Sequence, residues 1–218
     1  AISLGIAGNG PLVEYAALVE YGQTLKPAKV LWVYYEGNDL LGKSDLKREQ
    51  INPLLMQYME DGFTQNLINR QQEIDNKLEK YIAQAQAQAE AQEPTEEPAQ
   101  LDKIRWIRLF AIRNLISFDV DVDVDVDVEN PLFEKILTKA KARVEAWGGE
   151  LYFVYLPEHS RYNSANILHD SYRNKSELID LVKGLEISVI DIHREVFADH
   201  PDPLALFPFR RNAHYNTD

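Results

Sequence analysis

Four residues have types and settings that could do chemistry together. Gly8 and Gly10, in "GIAGNGPL", let the backbone approach a ligand closely, and Pro11 opens a helix whose N-terminal amides point at the same edge. Asn38, in "EGNDL", ends an apolar run, where a side-chain amide can donate to a developing oxyanion. His214, in "FPFRRNAHYN", can take a proton as a general base. Singly, each has an ordinary reading. Gly-Asn-Gly-Pro makes turns, Asn38-Asp39 can cap a helix, and a loop histidine is commonly solvated. What joins them is their order along the chain and their place at the ends of apolar runs.

Those runs predict the elements that must position the site. Ile2–Ala7, Val30–Tyr35, Leu151–Leu156 and Ile187–Ile192 read as buried strands of a parallel sheet. Helical patterns precede the later three: Pro11 to Leu25, Phe133 to Trp147 (stopped by Gly148-Gly149) and Ser176 to Val182. Alternating strands and helices predict an α/β fold with helices on both faces of the sheet. In such sheets ligands bind beyond the carboxyl ends of the strands, where Gly8 and Asn38 fall.

Residues 43–130 break this rhythm and divide the chain into 1–42, an insertion, and 131–218. Gln65 to Ala91 is polar and rich in helix formers, an extended arm. "AQAQAQAEAQEPTEEPAQ" is low in complexity, and Pro94 and Pro98 end any helix there. Leu101 to Ile116 is again helical in pattern and carries Lys103, Arg105, Arg108 and Arg113. The run "DVDVDVDVDV" puts five aspartates on one face of a strand. A calcium cage needs ligands converging from a turning loop, so a solvated or edge strand is the expected form.

With 218 residues, 45% of them hydrophobic, the chain can bury one sizeable core. Its net charge of -12 argues against nucleic acid as a partner. The absence of cysteine excludes disulfides, a thiol nucleophile and thiolate metal sites. No apolar run approaches the ~20 residues of a membrane helix. The chain opens at Ala1 directly on an apolar run, and we expect it to be a piece of a longer protein.

The blocks "ISLGIAGNGPL", "EGNDL" and "HYN", in that order, resemble the SGNH (GDSL-like) hydrolases. "EYGQTLKPAKVLWVYYEGNDL" is similar to the helix, Lys-Pro turn and third strand of that family, and "LYFVYLPE" and "VIDIH" extend the likeness. The resemblance covers 1–41 well and 133–217 in part, and leaves 43–130 unexplained. It implies a three-layer α/β/α sandwich, flavodoxin-like in build, around a parallel sheet. It implies that Gly8 (backbone N–H) and Asn38 (side chain) donate to the oxyanion, that His214 is the base, and that no metal or organic cofactor is needed.

Two departures from the family pattern matter. No Gly-Asp-Ser turn occurs in the chain; Ser3 falls mid-strand and Ser44 after "EGNDL". We expect that turn upstream in the parent protein, on a strand that would lie between the Ile2 and Val30 strands. The piece alone should then be inactive and poorly stable. The family's Asp-x-x-His also lacks its acid, because Arg211 stands three residues before His214. A Ser–His dyad oriented by Asn212 or a backbone carbonyl, or an acid from elsewhere such as Asp39 or Asp202, would have to replace it. Of the other histidines, His159 could line the site, His193 should pack or cap, and His169 and His200 read as surface residues.

Two functions follow. The first is a serine ester hydrolase or acyltransferase acting on small acyl esters, such as O-acetyl groups of carbohydrate, a substrate that the resemblance alone implies. The second is an inactive binding or scaffold module, whose arm at 63–116 would hold a protein partner or a membrane surface through its arginines. Family members with long insertions often work on polysaccharide in the cell envelope. A dinucleotide site at "GIAGNGPL" ranks below both, since its glycine spacing is wrong and no acidic residue ends the next strand at the ribose position.

Overall fold

The computed structural model describes residues 1–5, 8–40, 44–91, 130–163, 174–211 and 215. Three parallel strands form one sheet in the order β1-β2-β3: β1 Lys29–Tyr35, β2 Glu150–Leu156 and β3 Ser188–Asp191. Register runs from Lys29 opposite Glu150 to Tyr35 opposite Leu156, and from Tyr152 opposite Ser188 to Tyr155 opposite Asp191. The three later apolar runs therefore become strands close to their expected limits.

The first run does not, among the described residues. Residues 1–5 carry no strand, and Ile2 is 69% exposed. An apolar run becomes a strand only when a neighbour takes its N–H and C=O groups, and β1 pairs on one side only, with β2. Of the four runs expected as strands, three are strands among the described residues. Leu31 (59%) and Val33 (42%) are exposed on β1, while Trp32 and Tyr34 between them are buried. This period of two follows from strand geometry, with one face packed and the other open at β1.

Helix α1 (Pro11–Ala17) runs without a break through a π-helical turn, Leu18–Gly22, into Gln23–Leu25. The short helices α2 (Asp45–Glu49) and α3 (Pro53–Met56) follow β1. Helix α5 (Pro131–Ala146) precedes β2, and α6 (Lys175–Gly184) precedes β3. The Asn130 side chain caps α5 by accepting the Leu132 N–H at 3.0 Å, with Pro131 in the first turn. Gly148, at φ 83°, ends it, and the Gly149 N–H reaches back to the Val144 carbonyl at 3.0 Å. Phe133, Ile136, Leu137, Ala140 and Val144 form its buried stripe. Tyr34 lies 6.2 Å from Phe133 and stacks on Phe153 and Tyr155 at 5.5 and 5.6 Å, at the centre of the core.

Residues 44–66 pack with this sheet unit, which comprises Ala1–Asn66 and Asp123–Asp218. One anchor is Glu20, buried in the π-helical turn. Its carboxylate accepts from the Tyr58 hydroxyl (2.7 Å), the Thr64 hydroxyl (3.1 Å) and the Gln65 N–H (2.6 Å). The second unit, Leu67–Val122, is described at a 3₁₀ turn, Leu67–Arg70, and helix α4, Gln71–Ala91. Arg70, Glu73 and Lys77 form an exposed ion-pair chain along it. The Arg-bearing pattern at 101–116 and the Asp-Val run lie outside the described residues. Among the described residues no helix is long and apolar enough to cross a membrane.

Candidate functional site

The site is built at the carboxyl end of β1. The turn after it, Glu36 to Asn38, is closed by Asp39. The Asp39 N–H donates to the Tyr35 carbonyl (3.4 Å), and its carboxyl accepts the Tyr35 N–H (2.8 Å). Such a reciprocal bond fits a short acidic side chain at a turn. Asn38 is left exposed at the tip. Its side-chain Nδ2 donates to Asp45 Oδ2 at 2.7 Å, and its carbonyl accepts the Asp45 N–H at 3.0 Å.

The glycine loop comes to the same place. Gly8 has φ 86°, a conformation that favours glycine, and space for a side chain there is open. Gly10 sits between two carboxylates, where a Cβ would lie 2.6 Å from the Asp45 Cβ and 2.9 Å from both Glu49 carboxylate oxygens. Glu49 accepts N–H groups from Gly10 (2.6 Å), Leu12 (2.9 Å) and Val13 (3.4 Å). It thereby fills the anion-binding end of α1 with the chain's own charge.

Helix α2 therefore links the glycine loop to the turn after β1. Ser44 caps it by accepting the Lys47 N–H at 3.2 Å, which gives this buried hydroxyl a structural task. Glu14, on the first turn of α1, adds a fourth carboxyl, and its buried Oε2 makes no hydrogen bond. Burial, then the charges of Asp39, Glu49 and Asp45, push Glu14 up to about 9. Burial likewise raises Asp39 to about 8, and Asp45 and Glu49 also rise. Both shifts favour the neutral acid. The carboxyls of Asp45, Glu49 and Glu14 are the part of the site that the motif reading missed. Their signal was a capped Asp45/Glu49 pair one helical turn apart, directly after the Gly-Asn-Asp turn.

A second buried group braces the turn from the other side. Glu36, 1% exposed, accepts the Glu158 N–H (2.8 Å), the Arg161 Nε–H (3.1 Å), a second Arg161 N–H and the Tyr155 hydroxyl. This ties the end of β1 to the loop after β2.

His214 lies outside the described residues. Its neighbour Tyr215 donates its hydroxyl to the Pro157 carbonyl and packs on Phe197 and Phe207. Neither carboxylate considered for orienting an imidazole is unengaged. Asp39 holds Tyr35, and Asp202 holds the Arg210 guanidinium by bonds of 2.5 and 2.8 Å. His159 is buried, donates through Nε2 to the Arg210 carbonyl at 3.1 Å and meets Phe207 edge-on. It thus braces the C-terminal loop. His193 stacks on Tyr162, whose hydroxyl lies 2.7 Å from its Nδ1. Burial, then the charges of Arg161 and Lys175, lower its pKa. His200 is half-buried, and its Nδ1 accepts the Asp202 N–H at 3.1 Å. Among the described residues no group of His, Asp or Glu is placed to hold a metal ion.

No protein-family model, curated protein or solved structure matches the chain.

Proposed function

We propose that this chain carries the oxyanion half of an SGNH-type serine ester hydrolase or acyltransferase, within a three-layer α/β/α sandwich. The supporting observation is the meeting of two motifs on one short helix: the Gly8–Gly10 loop and the Asn38 turn share α2 as their common wall. In this reading a serine attacks the acyl carbonyl and His214 takes its proton. The Gly8 N–H and the Asn38 amide then receive the charge that develops on oxygen. Asn38 Nδ2 carries two N–H bonds, and Asp45 takes one. Burial raises the pKa of Glu14 and Asp39, which lessens their repulsion of that oxyanion. This reading requires a serine nucleophile, and no Gly-Asp-Ser turn occurs in these 218 residues. Small acyl esters, O-acetyl carbohydrate among them, are the substrates this reading predicts.

The binding-module reading draws on a different observation: Asp39 and Asp202, the acids considered for His214, are both engaged elsewhere. Fluorophosphonate labelling of the full-length protein separates the two. The enzyme reading predicts a labelled serine and loss of labelling in His214→Ala. Folded protein that takes no label gives the site to the binding module.

A further inference from the structure

Resting on the esterase reading, we propose that Asp45 and Glu49 are the positioning residues of the oxyanion donors, one for each loop. They stand at opposite ends of α2, one helical turn apart, and are 5% and 7% exposed. Asp45 grips Asn38 twice: its N–H donates to the Asn38 carbonyl at 3.0 Å and its Oδ2 accepts the side-chain amide at 2.7 Å. A primary amide turns freely about its last torsion, and a charged acceptor on one N–H fixes where the other points. The remaining Asp45 oxygen, Oδ1, meets Arg48 Nη2 at 2.7 Å, which adds a second hold on the carboxylate.

Glu49 does the same for the glycine loop. Its Oε1 takes the Gly10 N–H, and its Oε2 takes those of Leu12 and Val13. Gly10 is pressed between both carboxylates, and Gly8 is two peptides upstream of that fixed point. A single turn of helix thus ties the Asn38 turn to Gly10, two residues after the Gly8 donor. Oxyanion stabilisation depends on donors held in place before charge develops, and a misplacement near 1 Å can cost about 100-fold. A shared wall of this kind meets that demand.

The test uses the full-length protein and p-nitrophenyl acetate, with labelling as a check on the serine. Asp45→Ala is expected to lose about 100-fold in kcat with KM nearly unchanged, the pattern of an interaction made in the transition state. Asp45→Asn keeps an acceptor for the Asn38 amide and should recover most of that loss. A folded Asp45→Ala protein with wild-type kcat overturns the proposal. Wild-type protein that neither labels nor hydrolyses overturns the esterase reading, and the positioning role with it. If Asp45→Ala fails to fold, amide spectra of Asp45→Asn and Glu49→Gln decide. The first should shift the Asn38 side-chain amide pair and the second the Gly10 N–H, each without moving the other. An Asn38 pair unmoved in Asp45→Asn overturns the assignment.

Discussion

A methyl group on Gly10 would meet the Asp45 Cβ at 2.6 Å and the Glu49 oxygens at 2.9 Å. Neither neighbour can retreat, because each carboxylate is held by two or more donors. Gly10→Ala should therefore cost about 1–3 kcal/mol by overpacking. Thermal melting would show this as a fall of about 2–4 °C per kcal/mol for a domain of this size. Glu36 makes a similar case through charge. Glu36→Ala takes from the largely buried Arg161 guanidinium its carboxylate partner and should cost about 1–3 kcal/mol. Urea unfolding should find the double variant Glu36→Gln, Arg161→Met less damaged than Glu36→Ala alone. The acids around Gly10 set a pH dependence. Asp39 rises from 3.8 to about 8 and Glu14 from 4.5 to about 9, so the folded state keeps protons that the unfolded chain releases. That contribution is complete below about pH 4 and is lost as pH climbs through 8 and 9, by up to ~1.4 kcal/mol per pH unit for each proton. Melting temperatures should fall between pH 5 and 9, and Glu14→Gln should flatten the decline; a flat wild-type profile would refute the sign.

At the scale of elements, the strands at β1, β2 and β3 and the helices at α1, α5 and α6 were legible, because periodicity and caps are local properties. Asn130-Pro131 starts α5 and Gly148 stops it where helix-end chemistry requires. The run at Ile2 carried the same apolar signal and still failed as a strand among the described residues, since pairing is decided by a neighbour and not by the run itself. Of the candidate site, Gly8 and Asn38 could be read from motif order. Asp45 and Glu49 could be read as one face of a helix, but not as the wall of a glycine loop 35 to 39 residues upstream. Phe133→Ala, at the first buried turn of α5 against Tyr34, should destabilise by about 3–5 kcal/mol, as measured by denaturant midpoint.

Across the whole molecule, the fold gathers the parts of the candidate site at one edge of the sheet. A parallel sheet sends β1 and the start of α1 to the same edge, the buried Glu36 ties the turn after β1 to the loop after β2, and α2 lies between that turn and the glycine loop. The central claim is that this edge stabilises an oxyanion through Asn38. The measurement that tests it most directly is kcat for acetyl ester hydrolysis by the full-length protein with Asn38→Ala. The account predicts a loss on the order of 100-fold or more with the fold intact. An Asn38→Ala enzyme that turns over at the wild-type rate would contradict it.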